Sequence, residues 1–593
     1  MSSTYAHYQG PSSLPADYAI VSRINSHEQN DLHGSDDEQY IPDGAEGSVN
    51  TNHRGARRES ITKSRYHHRP LNPTIGSYIP QEQTATPRLS FNASESTPLL
   101  NNPPIPRIEE AVDRDPAADD GSKIVMFWEE VWILSKYALP VFGTHVLEYS
   151  LVVVSVISIG HISMTALAAI SLGSMTASVS GFSILQGFAS ALDTMLPSAW
   201  TSPQPHLVGL WSQRMTVVMF ASLIPMFLIW FNAESLLLFL KQDPEVAHLA
   251  SIYLRWVSLG LPAYAFNCIS RRYFQSQGLF AVPTRIVFVV APINALLNWL
   301  LVWGPKPMRL GFIGAPIATA ISFNLISLMS IIYGIVFTPK TAWYPLSRRM
   351  FTSLGVLVQL GLSGVGQTAS EWWAWELVAL AASLLGPVAL ATQSVLLVSC
   401  STTFQAPFAL SVATAVRIGN LLGEGKGKRA GVTSSTAILL ALLIACFTST
   451  LFLVFRRQWA YMFNDDPDVV DLVASIIPLL SLFQVFDGTS AVASGILRAR
   501  GKQFLGALLN LSAYYIFGIP LGVYLAFSHH MKLHGLWIGL TFSLIYSALI
   551  GTWICLRTDW DKEVHKVAER LKEEDKARRQ ENRDREEAGL AAW

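Results

Sequence analysis

Hydrophobic and polar positions divide this chain into three stretches. From Met1 to about Ser122 polar residues dominate, and no apolar run reaches the length of a signal-peptide core. Such a stretch buries too little surface to fold and is predicted to be a disordered tail. From there to about Arg557 one apolar block follows another. A helix that crosses a bilayer needs roughly 20 predominantly apolar residues. Twelve such segments can be placed, at about 138–160, 167–192, 207–231, 248–270, 284–304, 312–337, 353–385, 388–416, 431–455, 471–497, 504–528 and 535–557. The fourth and tenth are the least apolar. Prolines inside several of them (Pro225, Pro262, Pro292, Pro407, Pro478 and Pro520) are tolerated in membrane helices, where they mark kinks. Beyond Thr558 acids and bases mix at helical spacing, as in Glu569-Arg570-Leu571-Lys572-Glu573-Glu574, which predicts a solvated helix outside the membrane.

Charge between the apolar segments sets the predicted orientation. Lysine and arginine concentrate in short cytosolic loops. If the first segment starts in the cytosol, the loops on that side hold fourteen of them, among them Arg214, Arg271, Arg272, Arg417 and Arg498, against six on the other side. Both termini are then cytosolic, as an even number of crossings requires. The segments also repeat. Asp243-Pro244-Glu245-Val246 recurs 223 residues later as Asp466-Pro467-Asp468-Val469, Ala166-Leu167-Ala168 recurs as Ala389-Leu390-Ala391, and Gln277-Gly278 falls opposite Arg500-Gly501. A shared offset predicts a duplication of six segments each, related by an axis along the membrane normal, with a path between the copies near the midplane. The expected architecture is an all-α membrane protein of twelve transmembrane helices in two pseudo-symmetric six-helix bundles. Its parts are a tail over 1–122, lobes over 123–340 and 341–557, and a charged helix over 558–593.

Composition agrees with this and narrows the function. Half of the 593 residues are hydrophobic, only 15% are charged, and the formal net charge is zero. A soluble chain of this length would divide into several domains with charge throughout. The four cysteines (Cys268, Cys400, Cys446 and Cys555) all fall in apolar segments and read as small packing residues, not as disulfide partners or zinc ligands. The chain has no G-x-x-x-x-G-K-[ST] phosphate loop, so ATP is not the expected driver. No enzymatic activity, cofactor, metal or nucleic-acid partner is expected, and a monomer in the lipid bilayer is.

Candidate chemistry lies where charge enters an apolar segment. The seventh segment carries Glu371-Trp372-Trp373-Ala374-Trp375-Glu376 near its middle. Charge at membrane depth costs several kcal/mol and is tolerated mainly at a cavity, a partner or a transported ion. Low dielectric favours the protonated carboxyl, so these acids can hold a proton and, once ionised, attract a cation. The two glutamates are five apart, about 140° around a helix, and both can border a wide cavity. Tryptophan faces attract organic cations, and Trp372 is the favoured ring. Asp487 lies roughly 16 Å along a helix from Arg498, near the midplane. Glu148 sits mid-way along the first segment, either functional or bonded to a neighbour such as His145. Asp193, Arg255 and Gln186 read as gating or structural, Arg417 as an anchor or ion-pair partner, and Gln393 and Asn294 as interhelical hydrogen bonders. In the tail, Glu95-Ser96-Thr97-Pro98-Leu99-Leu100 is similar to an acidic dileucine sorting signal read by adaptor complexes, which favours the vacuolar over the plasma membrane.

Four motifs together carry a family resemblance. Gly160-His161 ends the first segment, and Gly187-Phe188-Ala189-Ser190-Ala191-Leu192-Asp193-Thr194 ends the second. Tyr253-Leu254-Arg255-Trp256 with Gly260-Leu261-Pro262-Ala263-Tyr264 forms the fourth, and Arg417-Ile418-Gly419-Asn420-Leu421-Leu422-Gly423-Glu424-Gly425 closes the eighth. In order and spacing they resemble the MATE (multidrug and toxic compound extrusion) family over roughly 139–556. The resemblance implies a two-lobed antiporter that exports bulky, often cationic, organic compounds against protons or sodium. It also implies roles for Glu371, Glu376 and an acid at Asp487. The chain departs from the family at Met195-Leu196-Pro197-Ser198-Ala199, at Phe404 three residues before Pro407, and at Glu148, where many relatives carry glutamine. The expected function is proton-coupled export by alternating access. The rivals are sodium coupling, a lipid or glycolipid flippase of related architecture, which would favour a basic cavity, and a non-transporting receptor or scaffold.

Overall fold

The computed structural model describes residues 122–160, 162–463 and 466–587. The tail with Glu95, Leu99 and Leu100, and His161 of the first motif, lie outside the described residues. The described chain is helical throughout. Twelve spans follow in order: Lys123–Gly160, Thr165–Trp200, Leu207–Phe231, 244–276, Ala281–Trp303, Gly314–Val336, Leu354–Ser383, Pro387–Gly423, Gly427–Val454, Pro467–Ala499, Gln503–Ser528 and Lys532–Leu556. A further helix, Trp560–Glu587, ends the described chain. Nine of the spans are long and apolar enough to cross a membrane on length and composition alone. The other three are the first, fourth and seventh; the fourth and seventh carry the residues of interest, Arg255, Arg271 and Arg272 in one, Glu371, Glu376 and three tryptophans in the other.

Local chemistry explains the boundaries. Asp243 and Asp466 each cap a helix that starts with proline: Asp243 Oδ1 accepts from the Glu245 and Val246 amides at 3.0 and 3.2 Å, and Asp466 Oδ1 from the Asp468 amide at 2.9 Å. Proline at the first helical position loses no hydrogen bond, since that amide is unpaired in any case. The duplicated Asp-Pro pair is thus a duplicated helix start. The opposite ends repeat too: Gly278 and Gly501 close the fourth and tenth spans at φ +79° and +70°, a region open to glycine at no steric cost. The fourth span breaks at a 3₁₀ turn over Ser258–Gly260, and Pro262 opens the next helical stretch. The second and eleventh spans widen into π-helical turns at Ser178–Phe182, Ser512–Gly518 and Tyr524–Ser528.

Spans one to six form one lobe and seven to twelve the other. The face where the first span starts and the twelfth ends is called the terminal face below. Near it the lobes pack backbone to backbone. A Cβ on Gly187 in the second span would lie 2.4 Å from Val365 Cα in the seventh, and one on Gly364 would lie 2.3 Å from Gly187 O. Thr201 Oγ1 donates to Asn420 O at 2.8 Å, and Gln503 Nε2 to Thr194 Oγ1 at 2.8 Å, both across the seam.

Three expectations need correction. The first helix does not begin at 138. It starts fifteen residues earlier, and its 38 residues make it about 57 Å long, well beyond the ~30 Å apolar core of a bilayer. In its extension Glu130, fully buried, accepts from Arg417 Nε and Nη2 at 2.8 and 2.6 Å and from Arg429 Nε at 2.6 Å. This carries the first span onto the opposite lobe. Second, the final helix is docked and not solvated on all sides. Its first turns lie on the carboxyl-terminal lobe, with Glu563 paired to Arg500 at 3.2 Å and Trp560 under the Arg500 guanidinium. Its later turns lie on the amino-terminal lobe, through Arg214–Glu574 at 2.7 Å, Gln204–Asp575 at 2.7 Å and Arg570–Ser198 at 3.2 Å. Third, Cys446 is exposed, while Cys268, Cys400 and Cys555 are buried.

Candidate functional site

Five acids sit within the spans at or below mid-depth, and their surroundings separate them. In the amino-terminal lobe each acid faces arginine. Glu148 in the first span is ion-paired with Arg271 of the fourth, and its second oxygen lies 3.6 Å from His145 Nδ1. Asp193 near the end of the second span accepts from Arg272 Nε at 2.9 Å. It also lies 3.3 Å from Arg498 Nε, which belongs to the tenth span and the other lobe. Gln186, about two turns earlier, donates to the Tyr264 hydroxyl at 3.1 Å and accepts from Arg272 at 3.5 Å.

Arg271 and Arg272 are the site residues that the sequence reading missed. Ending the fourth segment at 270 placed both in a loop, whereas the helix runs on to Ser276 and turns both side chains inward. The available signal was the absence of any turn residue before Gln277-Gly278. Arg214, Arg417 and Arg498, also counted as loop charges, likewise lie within helices and in ion pairs.

The carboxyl-terminal lobe is built the other way. Glu371 in the seventh span and Asp487 in the tenth have no hydrogen bond or ion pair among the described residues. Both lie deep in the lobe, within electrostatic reach of one another. Tyr514, fully buried, lies within reach of both, and Cys400 within reach of Asp487. Asp487 is buried and Glu371 part-exposed. Glu376 also has no hydrogen bond or ion pair among the described residues; five residues on in the same helix, it is turned about 140° from Glu371. The structure therefore groups Glu371 with Asp487 and leaves Glu376 apart.

The tryptophans divide as well. Trp375 packs into the lobe core, 5.6 Å from the Phe483 ring and 6.1 Å from Trp537. Trp373 donates to Val179 O in the π-helical turn of the second span at 3.1 Å. Trp372, the favoured ring, is 38% exposed and has no ring contact among the described residues. Arg255 pairs with Glu234 at 3.8 Å on the face opposite the terminal one, far along the fourth span from Arg272. Gln393 accepts from Trp537 Nε1 at 2.9 Å, and Asn294 donates to Ser322 Oγ at 2.9 Å. Among the described residues no group of three His, Cys, Asp or Glu is placed to hold a metal ion.

Two six-span lobes, with bare carboxyls at membrane depth in one and ion-paired acids in the other, define a two-lobed membrane transporter. The MatE family model matches residues 140–300 and 365–524, one match in each lobe. An uncharacterized transporter of Schizosaccharomyces pombe is 38% identical over 82% of this chain and 90% of its own length. Protein DETOXIFICATION 12 of Arabidopsis thaliana is 34% identical over 79% of this chain and 96% of its own length. The crystal structure of the eukaryotic MATE transporter AtDTX14 matches with a TM-score of 0.71 at 31% identity, over 75% of this chain and 100% of that one. The chain belongs to the MATE family, as a eukaryotic member.

Proposed function

We propose that this transporter is an antiporter that exports organic, often cationic, compounds in exchange for protons by alternating access. The Glu371–Asp487 pair carries the reading. Two carboxyls within electrostatic reach of one another, deep in the protein and with no ion pair to either among the described residues, are costly to ionise together. The pair therefore holds a proton unless a cation takes its place, which makes proton and cargo alternatives at one site. Glu371 is part-exposed, as an exchange site requires. Glu376 and the partly exposed Trp372 lie on the same span and serve as an outer cargo contact. The DETOXIFICATION name borne by the Arabidopsis relative supports export as the direction.

The test is uptake of a fluorescent organic cation into proteoliposomes under an imposed pH gradient, with and without sodium. Accumulation that follows the pH gradient and ignores sodium supports the proposal. Accumulation that needs sodium and ignores pH rejects proton coupling. Both termini are assigned to the cytosol on the charge bias, and the vacuolar membrane is assigned on the dileucine pattern at Glu95, Leu99 and Leu100, which an adaptor complex would read. A fluorescent fusion that stays vacuolar after both leucines become alanine would remove that second assignment.

A further inference from the structure

Arg498 pairs with Asp193 of one set of acids and lies within electrostatic reach of Glu371 of the other. It lies in the tenth span, eleven residues after Asp487. At 100° per residue that offset returns to within about 20° of the same helical face. Its Nε lies 3.3 Å from Asp193 Oδ2 of the other lobe, and its Nη2 donates to Ser411 Oγ of its own lobe at 3.0 Å. Its carbonyl accepts from Thr194 Oγ1, again across the seam, at 2.5 Å. The side chain is nearly buried.

The lobes cannot part at the terminal face while Arg498 holds Asp193. Asp193 loses little by parting, because Arg272 stays with it in the same lobe at 2.9 Å. Arg498 would be left with Ser411 alone. A buried charge stripped of its partner is strongly destabilising, which opposes the opening unless another anion replaces Asp193. Glu371 supplies one, being in the same lobe as Arg498 and within its electrostatic reach. Asp487 and Tyr514 are the other titratable groups around Glu371, and Cys400 lies within reach of Asp487.

We propose that Arg498 exchanges partners, from Asp193 when the terminal face is closed to Glu371 when it opens, and that this exchange couples proton release to the change of access. The charges balance. A protonated Glu371 becomes a carboxylate as the guanidinium arrives, and its proton leaves to water on the terminal side. Closing returns Arg498 to Asp193 and leaves Glu371 free to take a proton from the other side. Arg498 is thus a positioning residue for coupling and makes no contact with cargo. The inference rests on the antiport reading above.

The test compares the wild type, R498Q and R498K in proteoliposomes, with a pH-sensitive dye inside and a fluorescent organic cation as cargo. For R498Q we expect at least a tenfold rise in cargo-free proton leak and loss of pH-driven accumulation, with cargo affinity within twofold of the wild type. R498K should restore coupling in part. D193N, which removes the closed-state partner of Arg498, should raise the leak in the same way. An R498Q protein that binds cargo and stays tightly coupled overturns the exchange. Should R498Q fail to fold, D193N carries the test, and a D193N protein with wild-type leak and coupling overturns the exchange. A wild type that never accumulates cargo under a pH gradient would overturn the antiport reading instead, and the two failures are separable.

Discussion

Glu148 meets a guanidinium, whereas Glu371 meets no cation partner among the described residues. The difference sets what each can do. A paired carboxylate stays ionised and holds structure; an unpaired one at depth takes a proton. Glu371→Gln and Asp487→Asn should each lower pH-driven uptake at least tenfold while the protein still reaches the membrane. Glu376→Gln should lower it less than threefold, because that carboxyl lies outside the pair. Initial rates in proteoliposomes decide between these outcomes. Glu130 gives a different prediction, one of stability. Burial pushes its carboxyl up, but hydrogen bonds and charge from Arg417 and Arg429 outweigh that and hold it below its ordinary value. A group lowered in this way stabilises the fold above the ordinary carboxylate value of about 4.3, and the contribution is lost as pH falls through the lowered value. Glu130→Ala, which strands the buried Arg417 guanidinium while Arg429 keeps Glu129, should cost about 3–5 kcal/mol at neutral pH, and less in acid. Thermal unfolding in detergent across pH 3–8 measures both. The acids at depth were legible because charge in an apolar run is conspicuous. Their partners were not, because arginines near a span end look the same whether they sit in a loop or turn inward.

Helix starts and stops follow local rules, and these were the most readable part of the sequence. The Asp-Pro pairs at 243 and 466 cap helices in both lobes, and the same offset that revealed the duplication places equivalent ends. Asp243→Ala should destabilise the fourth span by about 1 kcal/mol, seen as a lower unfolding temperature with transport retained. Hydropathy alone failed where an element serves two purposes. The fourth span was ended too early because its last turns carry paired arginines. The first was started too late because the extension around Glu130 is polar enough to resemble tail. The final helix was taken as solvated because Glu563, Arg570, Glu574 and Asp575 are charged, yet each finds a partner on a lobe. Periodicity tells which residues share a face but not whether a charged face is wet or paired.

At the level of the whole molecule, the lobes are joined at the terminal face by the close packing and hydrogen bonds of the seam and, among the described residues, by three charged contacts. These are the Glu130 pair with Arg417 and Arg429, the Asp193–Arg498 bridge, and the final helix lying on both lobes. All three must yield when access changes. A chain ended after Thr558 keeps every span and loses one contact. It should transport with a higher maximal rate, by about twofold or more, and show faster labelling of a cysteine placed at Asn420, on the seam. A rate and labelling equal to those of the full chain would mean that the helix does not restrain the lobes.

The final helix is also the last described element to leave the ribosome. Both halves of the transporter are therefore inserted in lipid before their outer clasp exists, and their first meeting happens without it. A nonsense lesion just after the codon for Thr558 would spare every span and remove the clasp. Cells carrying such an allele should contain transporter in the bilayer that is complete in its crossings and altered only in how readily it turns over.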